Sequence, residues 1–155
     1  MRNINRVFLL FFVLSFLISC GGKMETSRIG NPGAANKVLI ALEPTEYKRL
    51  VAEELIKKLD DKNDNYVTLS GLPLLKKITP ADFDAVIILN TGKAGKPDKA
   101  VLKFLKKFEG ADNIVVYTTW GDENTKTDLP VDSISSASDE LYIPVVRDEI
   151  LRLMW

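Results

Sequence analysis

The residues best placed to hold a ligand lie where a buried strand runs into a helix. Residues 37–42 (KVLIAL) form a short apolar run, and residues 43–48 (EPTEYK) lead into a helix that begins at Thr45 or Glu46. In an open α/β sheet, ligands sit in the crevice at the carboxyl ends of the strands. A helix N-terminus there presents unpaired N–H groups to an anion. Thr45 could add a hydroxyl, and Lys48, Lys93 and Lys96 could add positive charge. Glu43 and Glu46 work against an anion. A phosphate monoester carries about −1.5 to −2 charge near neutrality. Each carboxylate about 4 Å from it would cost on the order of a few kcal/mol at an effective dielectric near 20. The favoured placement for both glutamates is outward, as helix N-terminal carboxylates that the helix dipole stabilises. Glu43, Glu46 and Asp122 could gather as acid–base groups in the crevice, although scattered surface acids are commoner.

Several chemistries are excluded by composition. The chain has no histidine, which removes histidine acid–base catalysis, histidine-based triads and the usual zinc sites. Its one cysteine, Cys20, allows neither an intrachain disulfide nor a cysteine ligand cluster. No metal site is expected. The formal net charge is zero, so no general affinity for nucleic acid is implied. No Gly-x-Gly-x-x-Gly or Walker loop occurs.

The elements that must position a site can be read in order. With 155 residues, 46% of them hydrophobic, the chain has room for one domain with a real core. Residues 37–42 suit a strand buried on both faces. In the following helix, Leu50, Val51, Leu55, Ile56 and Leu59 make one apolar face. A polar turn (60–65), a weaker strand (66–69) and a short helical segment within 71–80 come next. Residues 84–90 (DAVIILN) are the strongest strand signal, and 91–97 (TGKAGKP) are a Gly-rich loop. Asp98 caps a helix to about residue 108, with Val101, Leu102, Leu105 and Phe108 inward. Residues 114–119 (IVVYTT) are a third buried strand, 120–130 are polar and irregular, and 131–138 form a weak last strand or loop. A helix runs from Pro144, with Val146, Ile150 and Leu153 as its buried stripe. Strands alternating with amphipathic helices predict a doubly wound, mostly parallel five-stranded α/β sheet. The stretch between the last two strands is barely long enough for a parallel crossover, so the fourth helix is expected to be reduced or missing.

The N-terminus has a separate logic. Arg2 and Arg6 precede an 11-residue apolar run at 7–17, too short for a bilayer core, which needs about 20 residues. This run ends in LISC at 17–20, which resembles the bacterial lipoprotein signal. That resemblance implies a signal peptide over 1–19 and an acylated Cys20, carrying chains such as palmitate. A flexible tether follows to residue 36, and the domain occupies 37–155. Two or more acyl chains anchor a protein stably, at about 0.8 kcal/mol per buried methylene. The expected address is outside the cytoplasm, lipid-anchored to a bacterial membrane at its periplasmic face or the cell surface.

The domain resembles the flavodoxin-like family in element order and in local motifs. Aligned on Ala52, residues 43–48 fall on the family's FMN phosphate loop. Thr45 keeps its place, Glu43 replaces a hydroxyl residue, Glu46 the glycine and Lys48 the last threonine. Residues 82–92 resemble the third strand and the loop beside the flavin, although 91–97 lack an aromatic. Residues 117–122 (YTTWGD) resemble the fourth strand and its turn, with Trp120 as a possible stacking surface. Residues 131–138 look like a motif of exported domains that attach FMN covalently, with Ser138 as the attachment residue, but Ser136 stands where that motif has glycine. The resemblance implies strand order 2-1-3-4-5. It also implies an FMN rim made of Thr45, Asn90, Thr91, Gly92, Lys93, Trp120, Gly121 and Asp122. Two functions follow. One is a lipoprotein with a degenerate FMN site and no resident cofactor, not an enzyme, in a binding or accessory role with a redox or scaffold protein partner. The alternative is an FMN-binding electron-transfer protein.

Overall fold

A computed structural model describes residues 24–60, 64–121, 125 and 129–155. Six strands form one sheet: β1 (Ser27–Gly30), β2 (Asn36–Leu42), β3 (Asn65–Gly71), β4 (Ala85–Thr91), β5 (Ile114–Trp120) and β6 (Asp132–Ala137). Their spatial order is β1-β3-β2-β4-β5-β6. The last five are parallel in the expected order 2-1-3-4-5. Among the described residues, three α-helices accompany them: α1 (Glu46–Asp60), α2 (Lys99–Lys107) and α3 (Ile143–Met154).

Strand periodicity sorts the core into two faces. On one face, Val38, Ile40 and Leu42 of β2, Ala85, Ile87 and Leu89 of β4, and Val115 and Tyr117 of β5 pack with α1 and α3. Val51, Ala52, Leu55, Ile56 and Leu59 of α1 meet Ile143, Val146 and Ile150 of α3 there. On the other face, Leu39, Ala41, Val86, Ile88, Ile114 and Val116 pack with α2 and the short 3-10 segment Leu72–Lys76. The central strands are therefore buried on both sides, which is why they read as unbroken apolar runs. In α2 the buried positions are Val101, Phe104 and Leu105. Leu102 and Phe108, expected inward, are only partly buried, and Phe108 instead packs edge-on against Phe104, with ring centroids 5.0 Å apart.

The sheet has six strands rather than five. The additional strand, β1, lies within residues expected to be a flexible tether, and pairs antiparallel to the outer edge of β3. Its sequence SRIG carries one apolar residue, Ile29, and so gives no alternation to read. It forms because β3 would otherwise present a free edge of backbone donors and acceptors. Leaving β1, Gly30 adopts φ +94, and a Cβ there would lie 2.4 Å from the Asn65 carbonyl oxygen. The turn after it is closed by the Ala34 N–H on Asn31 O (2.9 Å) and the Gly33 N–H on Asn31 Oδ1 (2.9 Å). Of the β5–β6 connection, the described residues 121, 125 and 129–131 include no helical one. β6 is nonetheless a parallel strand, with Trp120 opposite Ala137.

Gly30→Ala meets both a left-handed backbone and a backbone oxygen. It should destabilise the domain by about 1–3 kcal/mol, read as a lower urea midpoint. An unchanged midpoint would show that β1 does not hold its place on β3.

Candidate functional site

The carboxyl ends of β2, β4 and β5 lie side by side, where the fold places the expected crevice, and strand parity decides what faces it. Thr91, the last residue of β4, and Thr119, the last but one of β5, are in register, two residues on from Leu89 and Tyr117, whose side chains lie on the α1 face. Lys48 lies in the first turn of α1, three and four residues before the buried Val51 and Ala52. Helical spacing therefore turns Lys48 inward onto that same face. Its Nζ donates to Thr91 Oγ1 and to Thr119 Oγ1, each at 2.7 Å. The side chain is 1% exposed.

Glu43 completes the arrangement from the end of β2. Its N–H donates to Leu89 O (2.9 Å), and its Oε2 accepts the Thr91 N–H (3.0 Å). Its Oε1 lies 4.0 Å from the exposed Lys93 Nζ, a contact worth at most about 1 kcal/mol in water. Burial pushes the Lys48 ammonium down to about pKa 8; the Glu43 carboxylate partly opposes that shift and Lys93 adds to it. Glu43 was expected outward and is instead half-buried and hydrogen-bonded across to β4, because the β2–α1 turn brings it over the free Thr91 N–H. Glu46 is exposed at the first position of α1.

The other expected site residues fall as follows. Thr45 caps α1, with the Lys48 N–H 3.4 Å from its Oγ1. Asn90 is fully buried: its Nδ2 donates to Tyr117 O (3.1 Å) and Thr118 Oγ1 (3.0 Å), and its Oδ1 accepts the Asp98 N–H (3.1 Å). It ties β4 to β5 and to the start of α2, where Asp98 Oδ1 accepts the Ala100 N–H at 2.6 Å. Gly92 donates its N–H to Thr119 O (2.8 Å), and a Cβ on it would lie 2.0 Å from Trp120 Cζ3. Trp120 is thus packed against the Gly92 backbone and 6% exposed; its Nε1 has no acceptor among the described residues. Lys93 and Lys96 exchange backbone hydrogen bonds (2.8 and 3.1 Å) around the positive-φ residues Ala94 and Gly95, forming a tight exposed hairpin. Gly121 is exposed, and Asp122 lies outside the described residues. Ser138 is exposed just past β6.

Two features escape a motif-based reading. The first is Thr119 as a Lys48 partner, which only strand register supplies. The second is a hydroxyl chain linking α1, β5 and β6: Tyr47 Oη to Tyr117 Oη (3.0 Å) and Tyr117 Oη to Ser136 Oγ (2.6 Å). Ser136 donates its own hydrogen to Ala137 O (2.8 Å), so Tyr117 donates to Ser136 and Tyr47 to Tyr117. Burial raises the Tyr117 phenol well above its usual value, so it stays neutral. For Lys48, its position on the apolar stripe of α1 was a readable signal. Among the described residues there is no group of three or more His, Cys, Asp or Glu able to hold a metal, and no helix long and apolar enough to cross a membrane.

No protein-family model matches the chain, and no curated protein matches it in a sequence search. Among solved structures, it is similar to a short-chain flavodoxin associated with a non-canonical PDU bacterial microcompartment. That match has a TM-score of 0.50 and 16% identity, over 79% of this chain and 99% of that one. Oxidised flavodoxin 2 from Bacillus cereus matches with a TM-score of 0.49 and 16% identity over 76% of this chain and 97% of that one. A flavoprotein in complex with FMN from Lactobacillus acidophilus NCFM matches with a TM-score of 0.45 and 12% identity over 72% and 98%. The strand order and the first of these likenesses make the fold flavodoxin-like.

The depressed Lys48 pKa has a signed consequence. Below about pH 8 the amine is charged in folded and unfolded chains alike, and folding bears the full desolvation cost. Between about 8 and 10.5 the folded chain releases the proton first, so this residue makes stability rise with pH. Wild type should gain on Lys48→Met by on the order of 2 kcal/mol between pH 7 and pH 10, measured by urea unfolding. A difference independent of pH would refute a depressed lysine. Gly92→Ala should clash with the Trp120 ring and cost about 1–3 kcal/mol, with altered Trp fluorescence; a silent substitution would mean that the ring does not rest on this backbone.

Proposed function

We propose that this chain is an exported lipoprotein, anchored through acylated Cys20, whose flavodoxin-like domain has a degenerate FMN site. In this reading its rim serves a binding or accessory role with a redox or scaffold protein partner. The observation that carries the reading is the internal ion arrangement in the crevice. The Thr91 N–H is donated to Glu43, and Lys48 donates to the oxygens of both threonine hydroxyls. These groups do not fit a phosphate monoester as they stand. A dianion entering here would have to displace the Glu43 carboxylate or lie beside it, at a cost on the order of a few kcal/mol. The Trp120 ring, packed on Gly92 and buried, is not presented as an open stacking surface. In effect the chain supplies its own anion and its own cation where a cofactor phosphate would bind.

Titrating residues 21–155 with FMN, while following flavin fluorescence and absorbance, tests this. The expected result is no saturable quenching even with FMN in excess. Saturable binding at low micromolar FMN would replace this reading with the electron-transfer one. Glu43→Ser should free the Thr91 N–H and raise FMN affinity measurably, whereas Glu46→Gly, at an exposed position, should change it little.

A further inference from the structure

The chain enters the fold at the crevice end of the sheet. Met24 packs against the core shared with α1 and α3, its Cβ 3.5 Å from where a Cβ on Gly71 would stand. Gly71 is in register with Leu42, and Leu42 with Leu89. Met24 is therefore level with the residues just before Glu43 and Asn90. Thr26 Oγ1 is hydrogen-bonded to Ser70 Oγ at 2.8 Å, and β1 then runs away from the crevice to Gly30, opposite Tyr66. Cys20 lies four residues before Met24, and four residues reach at most about 14 Å. The amino end of the sheet lies roughly 20 Å beyond Met24, at about 3.3 Å per strand residue. An acyl anchor on Cys20 is thus tied short to the carboxyl-end rim.

A second observation lies on the same rim at the opposite edge of the sheet. After β6, Leu141 is 86% exposed, Tyr142 53% and Val145, in the first turn of α3, 63%. These three lie within five residues of one another, five strand spacings or about 24 Å from β1; the other large apolar side chain exposed among the described residues, Trp155, is at the far end of α3. Between the two edges stand the crevice and the exposed Lys93 and Lys96. Exposed apolar side chains grouped in this way mark a contact surface. Aromatic residues with a polar tip suit the membrane interface.

The geometry points to a domain that lies with the carboxyl ends of its strands against the bilayer. Acylated Cys20 holds one edge of the rim, Leu141, Tyr142 and Val145 sit in the interfacial layer at the other, and the crevice faces the lipid between them. This rests on the acylation of Cys20 stated above. It adds that the crevice rim is reached from the membrane, so that its ligand or partner is one held in or on the bilayer.

The full chain, expressed with its leader, purified from membranes and reconstituted in phosphatidylethanolamine–phosphatidylglycerol vesicles, provides the test. Acylation consumes the only native cysteine, so a nitroxide can be attached at one introduced cysteine. Leu141→Cys and Lys96→Cys place the label on the rim, and Asp112→Cys places it on the far side, just before β5. The ratio of oxygen to nickel-chelate collision rates should be several-fold higher at 141 and 96 than at 112. Equal ratios, or a higher one at 112, would overturn the orientation. Dipolar broadening at 141 that vanishes on dilution with unlabelled protein would assign the cluster to a second copy of the chain and also overturn it. Intact mass separates the two levels of inference: a protein without acyl chains removes the anchor itself, whereas an acylated protein with equal ratios removes only the orientation.

Discussion

The ammonium of Lys48, held between two threonine hydroxyls at the ends of adjacent parallel strands, is the contact on which the crevice depends. A buried charge is tolerated only when paired and hydrogen-bonded. Here the partners come from three places: Thr91 on β4, Thr119 on β5, and the carboxylate of Glu43, which favours the charged form from the end of β2. Glu43 in turn needs the Thr91 N–H. The three strand ends and the first turn of α1 are therefore locked into one polar unit. Removing Thr119 or Thr91 would leave the buried Lys48 ammonium with one hydroxyl acceptor fewer, and an unmet buried donor costs more than a net hydrogen bond contributes.

Around that unit the rim is closed by contacts of a different kind. On the α2 face, Asn90 uses both ends of its amide to join β4, β5 and the cap of α2. Trp120 lies over Gly92, where only a glycine leaves room for the ring. On the α1 face, the Tyr47, Tyr117 and Ser136 hydroxyls carry the link out to the edge strand β6. β6 is parallel to β5 although no residue described in the connection is helical.

Much of the fold was legible in the chain because burial on both faces leaves an unmistakable mark. Runs such as 38–42, 85–89 and 114–118 can sit only in the middle of a covered sheet, and α1 and α3 each show an apolar stripe. β1 was not legible, since one isoleucine among Ser27, Arg28 and Gly30 has no period; the open edge of β3, a long-range partner, recruits it. Of the residues expected at the rim, the placement of several was legible. Thr45, Thr91, Gly92 and Trp120 do end at one end of the sheet, as the strand ends require.

What the sequence determined by itself was the alternation of buried strands and amphipathic helices, the absence of histidine and cysteine chemistry in the domain, and the unusual residues Glu43, Glu46 and Lys48 in the first strand-to-helix turn. Their roles were decided only in three dimensions. Whether a glutamate faces solvent or a backbone N–H depends on how far β2 and β4 extend relative to one another. Lys48 finds two hydroxyls because Thr91 and Thr119 share register and parity across a pair of strands 28 residues apart in sequence. Such relations are properties of strand pairing, and local composition carries no record of them.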